Sequence, residues 1–181
     1  CNSGSTPYST YYGITCNGPG GSITHLVLND CNLQGTLPPS LGTINTLLVL
    51  AMYNNRLSGT LPPQLGSLTL LQYLYLQNNL LTGTLPPEYN ALSALKILYL
   101  FTNQLSGTLP TEWRSLVSLN ELYLHDNQLS GALPTEWRSL ASLQKLYLNK
   151  NQLRGTLSPA YSALVSLKLL ALSTNQLNGS L

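Results

Sequence analysis

The side chains able to do chemistry are few in this chain of 181 residues: two histidines, three cysteines, six Asp or Glu and eight Lys or Arg. Catalysis needs titratable groups that converge on one reacting atom. His25 and His125 stand far apart, and His125 is adjacent to Asp126 in a stretch of alternating pattern, where neighbouring side chains face opposite ways. No phosphate-binding glycine loop, paired Cys-x-x-Cys or His-Glu-x-x-His occurs, so neither an enzyme nor a bound cofactor or metal is expected. The residues that do recur are aromatic. Tyr75, Tyr99, Tyr123 and Tyr147 follow one another at intervals of 24, flanked by Tyr53, Tyr73, Phe101 and His125. Tyrosine offers stiff contact area with a polar tip. The chemistry implied is recognition rather than bond breaking.

A regular scaffold must place these residues, and its period is written throughout. Gly35, Gly59, Gly83, Gly107, Gly131, Gly155 and Gly179 are each 24 residues apart. The same beat carries Leu50, Leu74, Leu98, Leu122, Leu146 and Leu170, and then Asn55, Asn79, Asn103, Asn127, Asn151 and Asn175. The octapeptide LPTEWRSL stands at both 109–116 and 133–140. The unit reads L-x-x-L-x-L-x-x-N-x-L-x-G-x-L-P and is identified as a leucine-rich repeat. One such coil cannot bury its leucines alone, whereas stacked coils can.

The expected fold is therefore an α/β solenoid: a right-handed superhelix with a parallel concave sheet and short 3-10 or extended convex segments. Leu-x-Leu predicts a short strand with its leucines inward. The asparagine that follows is expected inside the turn, bonded to backbone groups of its own and the adjoining coil. Trp113 and Trp137 share a column with Leu41, Leu65, Tyr89 and Tyr161, which predicts core positions. About seven repeats are expected to fill residues 25–181, the last one truncated and without a C-terminal cap.

Residues 1–24 do not repeat and are expected to form a lid over the first coil, with Cys1 and Cys16 paired across it. Such a bond predicts an oxidising, extracellular setting. Cys31 takes the asparagine position of the first coil and is expected to be a small buried thiol.

The stretch YYGITCNGPGGSITHLVL resembles the N-terminal cap of plant-type extracellular leucine-rich repeats, with Tyr11 and Ile14 in the Trp and Val places and Gly13 and Cys16 matching. The Gly-Thr-Leu-Pro turns are also similar to plant-type repeats. GTLPPEY and LPTEWRSL resemble more closely the promastigote surface antigen and proteophosphoglycan group of kinetoplastids. That resemblance implies display at a cell surface.

Charge and composition narrow the partner. Charged residues make up 8% and the net charge is +2, which excludes a nucleic-acid groove and a polybasic membrane patch. No apolar run is long enough for direct membrane insertion. Glu121 with Lys145 and Asp126 with Lys150 are expected to pair across neighbouring coils. Asn178-Gly179-Ser180 is a glycosylation sequon. The leading expectation is a recognition module that binds a protein or glycan on its tyrosine-rich face. The alternative is a structural surface protein that self-associates head to tail through Leu167, Leu170, Leu172 and Leu177.

Overall fold

The computed structural model of the protein describes residues 13–18 and 21–179. Two parallel sheets and a row of 3-10 turns enclose one leucine core. The first sheet has eight strands in an order that follows the chain without crossover. Seven belong to the repeats: Ile23–Val27, Val49–Ala51, Tyr73–Tyr75, Ile97–Tyr99, Glu121–Tyr123, Lys145–Tyr147 and Leu169–Ala171. Their register matches the sequence period, with Leu26 opposite Leu50, Leu50 opposite Leu74 and so on to Leu170. Alternation then turns the central leucine inward, and Leu50, Leu74, Leu98, Leu122 and Leu146 are fully buried. Each such side chain contributes about 1.5–3 kcal/mol through burial.

The eighth strand, Gly13–Cys16, pairs antiparallel with Ile23–Val27, and Thr24 Oγ1 donates to the Thr15 carbonyl at 3.3 Å. The first repeat strand begins at Ile23, inside the segment 1–24 assigned to the lid. Cys16 is disulfide-bonded. Cys1, the partner expected for it, and Tyr11 lie outside the described residues.

A second parallel sheet runs beside the first and was not foreseen from the sequence. Its seven strands are Gln34–Thr36, Arg56–Thr60, Leu80–Thr84, Gln104–Thr108, Gln128–Gly131, Gln152–Gly155 and Gln176–Leu177. Here Gln128 pairs with Ser106 and Leu129 with Gly107, an offset of 22 rather than 24. The glycine in each of the first six strands has positive φ, +78° at Gly107, and a Cβ there would come within 2.7 Å of the Thr84 methyl of the preceding coil. Both reasons require glycine. The proline that follows leads into a five-residue 3-10 helix, as in Pro87–Ala91, Thr111–Ser115 and Thr135–Ser139.

The buried turns are joined by the asparagine column. Asn127 Nδ2 donates to the carbonyls of Leu124 and His125 in its own coil and of Leu100 in the preceding one, and Oδ1 accepts from the Leu105 amide. Asn79, Asn103, Asn151 and Asn175 repeat this pattern. Cys31 departs from the expectation: it is exposed and free rather than buried. The strand Gly13–Cys16 pairs with Ile23–Val27 and leaves the turn at Cys31 open to solvent. Its Sγ turns back to the Asn29 carbonyl at 3.2 Å, while its amide donates to Asn55 Oδ1.

A second column crosses the 3-10 row. Tyr89, Trp113 and Trp137 stack nearly parallel, with centroids 6.4 and 6.3 Å apart. Each ring's polar tip donates to a proline carbonyl of the preceding coil: Tyr89 to Pro62, Trp113 to Pro86, Trp137 to Pro110, and Tyr161 to Pro134. These rings are core, as their column predicts. The residue before each ladder asparagine lies in the left-handed region, which suits Asn54 and Asn78 but strains the β-branched Thr102 and Thr174. Among the described residues, no helix is long and apolar enough to cross a membrane.

Two predictions follow from these columns. Asn127→Ala strands three carbonyls and one amide and should lower unfolding free energy by about 2–4 kcal/mol, read from urea denaturation followed by circular dichroism. Thr102→Asn removes a left-handed threonine without touching the core and should raise it by about 1 kcal/mol in the same assay.

Candidate functional site

The alternation that buries the leucines turns the residues between them onto the opposite side of the first sheet. There Tyr75, Tyr99, Tyr123 and Tyr147 sit directly opposite one another on successive strands. β-branched and aromatic residues favour such short strands, and cross-strand ring pairs stabilise them. The ring contacts are continuous. Tyr75 meets Tyr99 edge-on at 5.3 Å, Tyr99 stacks on Tyr123 at 4.2 Å, and Tyr123 meets Tyr147 at 4.4 Å. Tyr73 stacks beside Tyr75 at 6.2 Å, and Phe101 lies face to face with His125 at 4.5 Å and 10°. Seven of the eight expected site residues thus form one half-buried strip. Tyr53 is half-buried two coils before Phe101 in the same column, with Gln77 between them.

One carboxylate lies within the strip. Tyr99 Oη donates to Glu121 Oε2, and Lys145 Nζ meets Glu121 Oε1 at 3.0 Å. The Lys145 contact is the expected one; the Tyr99 contact runs diagonally between columns and escapes a column-by-column reading. Burial pushes the Glu121 carboxyl up, but hydrogen bonds from Tyr99, Lys145 and Tyr123 outweigh it and hold the group below its ordinary value. Burial first, and then the bond to Glu121, pushes the Tyr99 hydroxyl well above the usual phenol range. Burial also raises Tyr123 and lowers His125. Asp126 and Lys150 stand 3.7 Å apart at the edge of the strip.

Among the described residues, two buried side-chain polar atoms have no hydrogen-bond partner. Gln77 Oε1 and His125 Nδ1 are buried without a hydrogen bond. They share the column Tyr53, Gln77, Phe101, His125 and flank Phe101 on either side. Gln77 is only 8% exposed. It was not among the expected site residues, because one glutamine in a mixed polar and aromatic column carries no periodic signal. Among the described residues no group of three or more His, Cys, Asp or Glu could hold a metal ion. Asn178 of the sequon is exposed, and Ser180 lies outside the described residues.

A family model for the leucine rich repeat matches residues 22–44, 46–68, 70–92, 94–116, 118–140 and 142–164. No curated protein matches the chain. Similar solved structures include the leucine-rich repeat ectodomain of the plant membrane receptor kinase GASSHO1/SCHENGEN3 from Arabidopsis thaliana, in complex with Casparian strip integrity factor 2. It is 40% identical over 87% of this chain and 19% of that one, with a TM-score of 0.85. The ectodomain of the Arabidopsis receptor kinase HAESA, in complex with an IDA peptide hormone ligand, is 30% identical over 87% of this chain and 27% of that one, with a TM-score of 0.83. Pollen receptor kinase 3 is 30% identical over 94% of this chain and 82% of that one, with a TM-score of 0.82. The chain therefore spans about a fifth to a quarter of the first two. These matches support plant-type repeats and not the kinetoplastid surface antigen group. Trp113 and Trp137, the tryptophans of the two LPTEWRSL copies, are core residues in a column that Leu41, Leu65 and Tyr89 also fill.

The Glu121 contacts predict a pH effect. A carboxyl whose folded value is depressed adds stability that is present above its ordinary value of 4.5 and is lost as pH falls through the folded value. Glu121→Gln should therefore narrow the fall in thermal midpoint between pH 7 and pH 3, measured by circular dichroism.

Proposed function

The chain belongs to the leucine-rich repeat family, and on that premise we propose that it is a non-enzymatic, extracellular recognition module. Its aromatic strip from Tyr73 to Tyr147 is the binding face, and its partner is a protein or peptide. The observation that carries this reading is the strip itself: seven rings in unbroken contact on the side of the sheet away from the core. A contiguous aromatic surface of this kind marks a contact site more often than decoration. Two of the similar structures are receptor ectodomains captured with a partner, and in one it is a peptide hormone. That favours a peptide or protein over a glycan. It also favours an extracellular setting, and gives no support to head-to-tail assembly.

The strip is open to contact but already internally packed, so little side-chain entropy is lost when a ligand settles on it. Its single carboxylate is neutralised by Lys145 and Tyr99, so affinity should depend weakly on salt.

Selection of dodecamer peptides from a display library on the immobilised protein tests this reading. Selected peptides should bind the Tyr99→Ala/Tyr123→Ala variant at least tenfold more weakly, in line with about 2 kcal/mol for truncated aromatic anchors. Arg138→Ala, on the exposed 3-10 row, should leave binding unchanged. Peptides that bind the double tyrosine variant as well as the parent would overturn the assignment.

A further inference from the structure

Gln77 Oε1 and His125 Nδ1 are both buried, both unpartnered, and lie two strands apart on either side of Phe101. Leaving such an atom without a hydrogen bond is unfavourable. No hydrogen bond holds either atom where it is, so turning it toward an incoming donor breaks no hydrogen bond at that atom. In the tautomer with its proton on Nε2, His125 offers Nδ1 as an acceptor. Rotated outward, the two atoms would give the face two hydrogen-bond acceptors in one column, on strands two spacings, or about 9.6 Å, apart. The ring of Phe101 lies between them.

We propose that Gln77 and His125 anchor an uncharged polyproline II segment laid along this column, across the strands. The inference rests on the tyrosine face being the binding site. A polyproline II helix advances about 9.3 Å in one turn of three residues and makes no internal hydrogen bonds. Its amides at positions i and i+3 therefore point the same way at almost the distance that separates the two acceptors. A donor at every third residue meets Gln77 and then His125, while the intervening proline rings settle on Phe101 and on the neighbouring Tyr99 and Tyr123. Aromatic-lined surfaces suit this stiff helix, which has little entropy left to lose. A β-strand repeats its side-chain direction every two residues, about 6.7 Å, and matches neither one nor two strand spacings. Charge agrees: Glu121 is already bonded to Tyr99 and Lys145, so the strip offers no free carboxylate to a cationic segment.

The probe is a fluorescein-labelled Ac-(Pro-Pro-Ala)4 amide, which has one backbone N–H per helical turn, titrated by fluorescence anisotropy. It should bind saturably and at least tenfold more tightly than twelve consecutive prolines, (Gly-Ser)6 or chitohexaose. Replacing each alanine of the probe by N-methylalanine deletes the N–H groups without touching the protein. It should reduce affinity to that of the all-proline peptide. Gln77→Leu and His125→Phe should each weaken the probe at least fivefold, with melting curves confirming that each variant is folded. Absence of saturable binding overturns the proposal. So does equal affinity for the N-methylated probe or for chitohexaose, or indifference to both substitutions in folded protein. Library peptides that depend on Tyr99 and Tyr123 but ignore Gln77 and His125 would overturn this inference alone. Peptides indifferent to the tyrosines would remove the binding face as well.

Discussion

A buried turn must find partners for its backbone groups, and the asparagine amide meets that requirement in coil after coil. One side chain joins three carbonyls and an amide, half of them in the adjoining coil. Leucine burial supplies most of the driving force, but it is indifferent to direction. The asparagine bonds are directional, so they hold successive coils at one height and rotation. The exact register of the first sheet, Leu over Leu and Tyr over Tyr, depends on that constraint. At Cys31 the same position lacks the amide: the thiol reaches only the Asn29 carbonyl, and the residue is left exposed.

The tyrosine face follows from the register. Side chains at one position of the repeat are brought about 4.8 Å apart, close enough for rings to touch. Ring contact stabilises the sheet and also leaves a surface that water wets poorly. The two effects are not in competition, because the residues stay only half-buried while their rings pack on one another. Glu121 illustrates the balance. A lone carboxylate there would be unfavourable to bury, yet with Tyr99 and Lys145 it becomes part of the packing. Gln77 and His125 are the places where this economy of partners is incomplete.

Much of this was legible in the sequence because a period of 24 multiplies every signal. The first sheet, the inward leucines, the asparagine turn, the core position of Trp113 and the Glu121–Lys145 pair all follow from reading columns. The second sheet was not legible. Its register steps by 22, so its partners do not share a column. The Tyr99–Glu121 bond is hidden for the same reason, since it joins residues 22 apart. Cys31 misled because a column gives the position of a residue but not whether anything covers it. The unpartnered atoms of Gln77 and His125 could emerge only once every neighbour had been placed.

The stacked indoles have an optical consequence. Trp113 and Trp137 are the two tryptophans of the chain, buried, 5° from parallel and 6.3 Å apart. Chromophores so close and so aligned share their excited states, and Tyr89 beside Trp113 can pass its excitation to them. Tryptophan emission from this protein therefore comes from a single junction in the stack. It reports whether two particular coils remain in register.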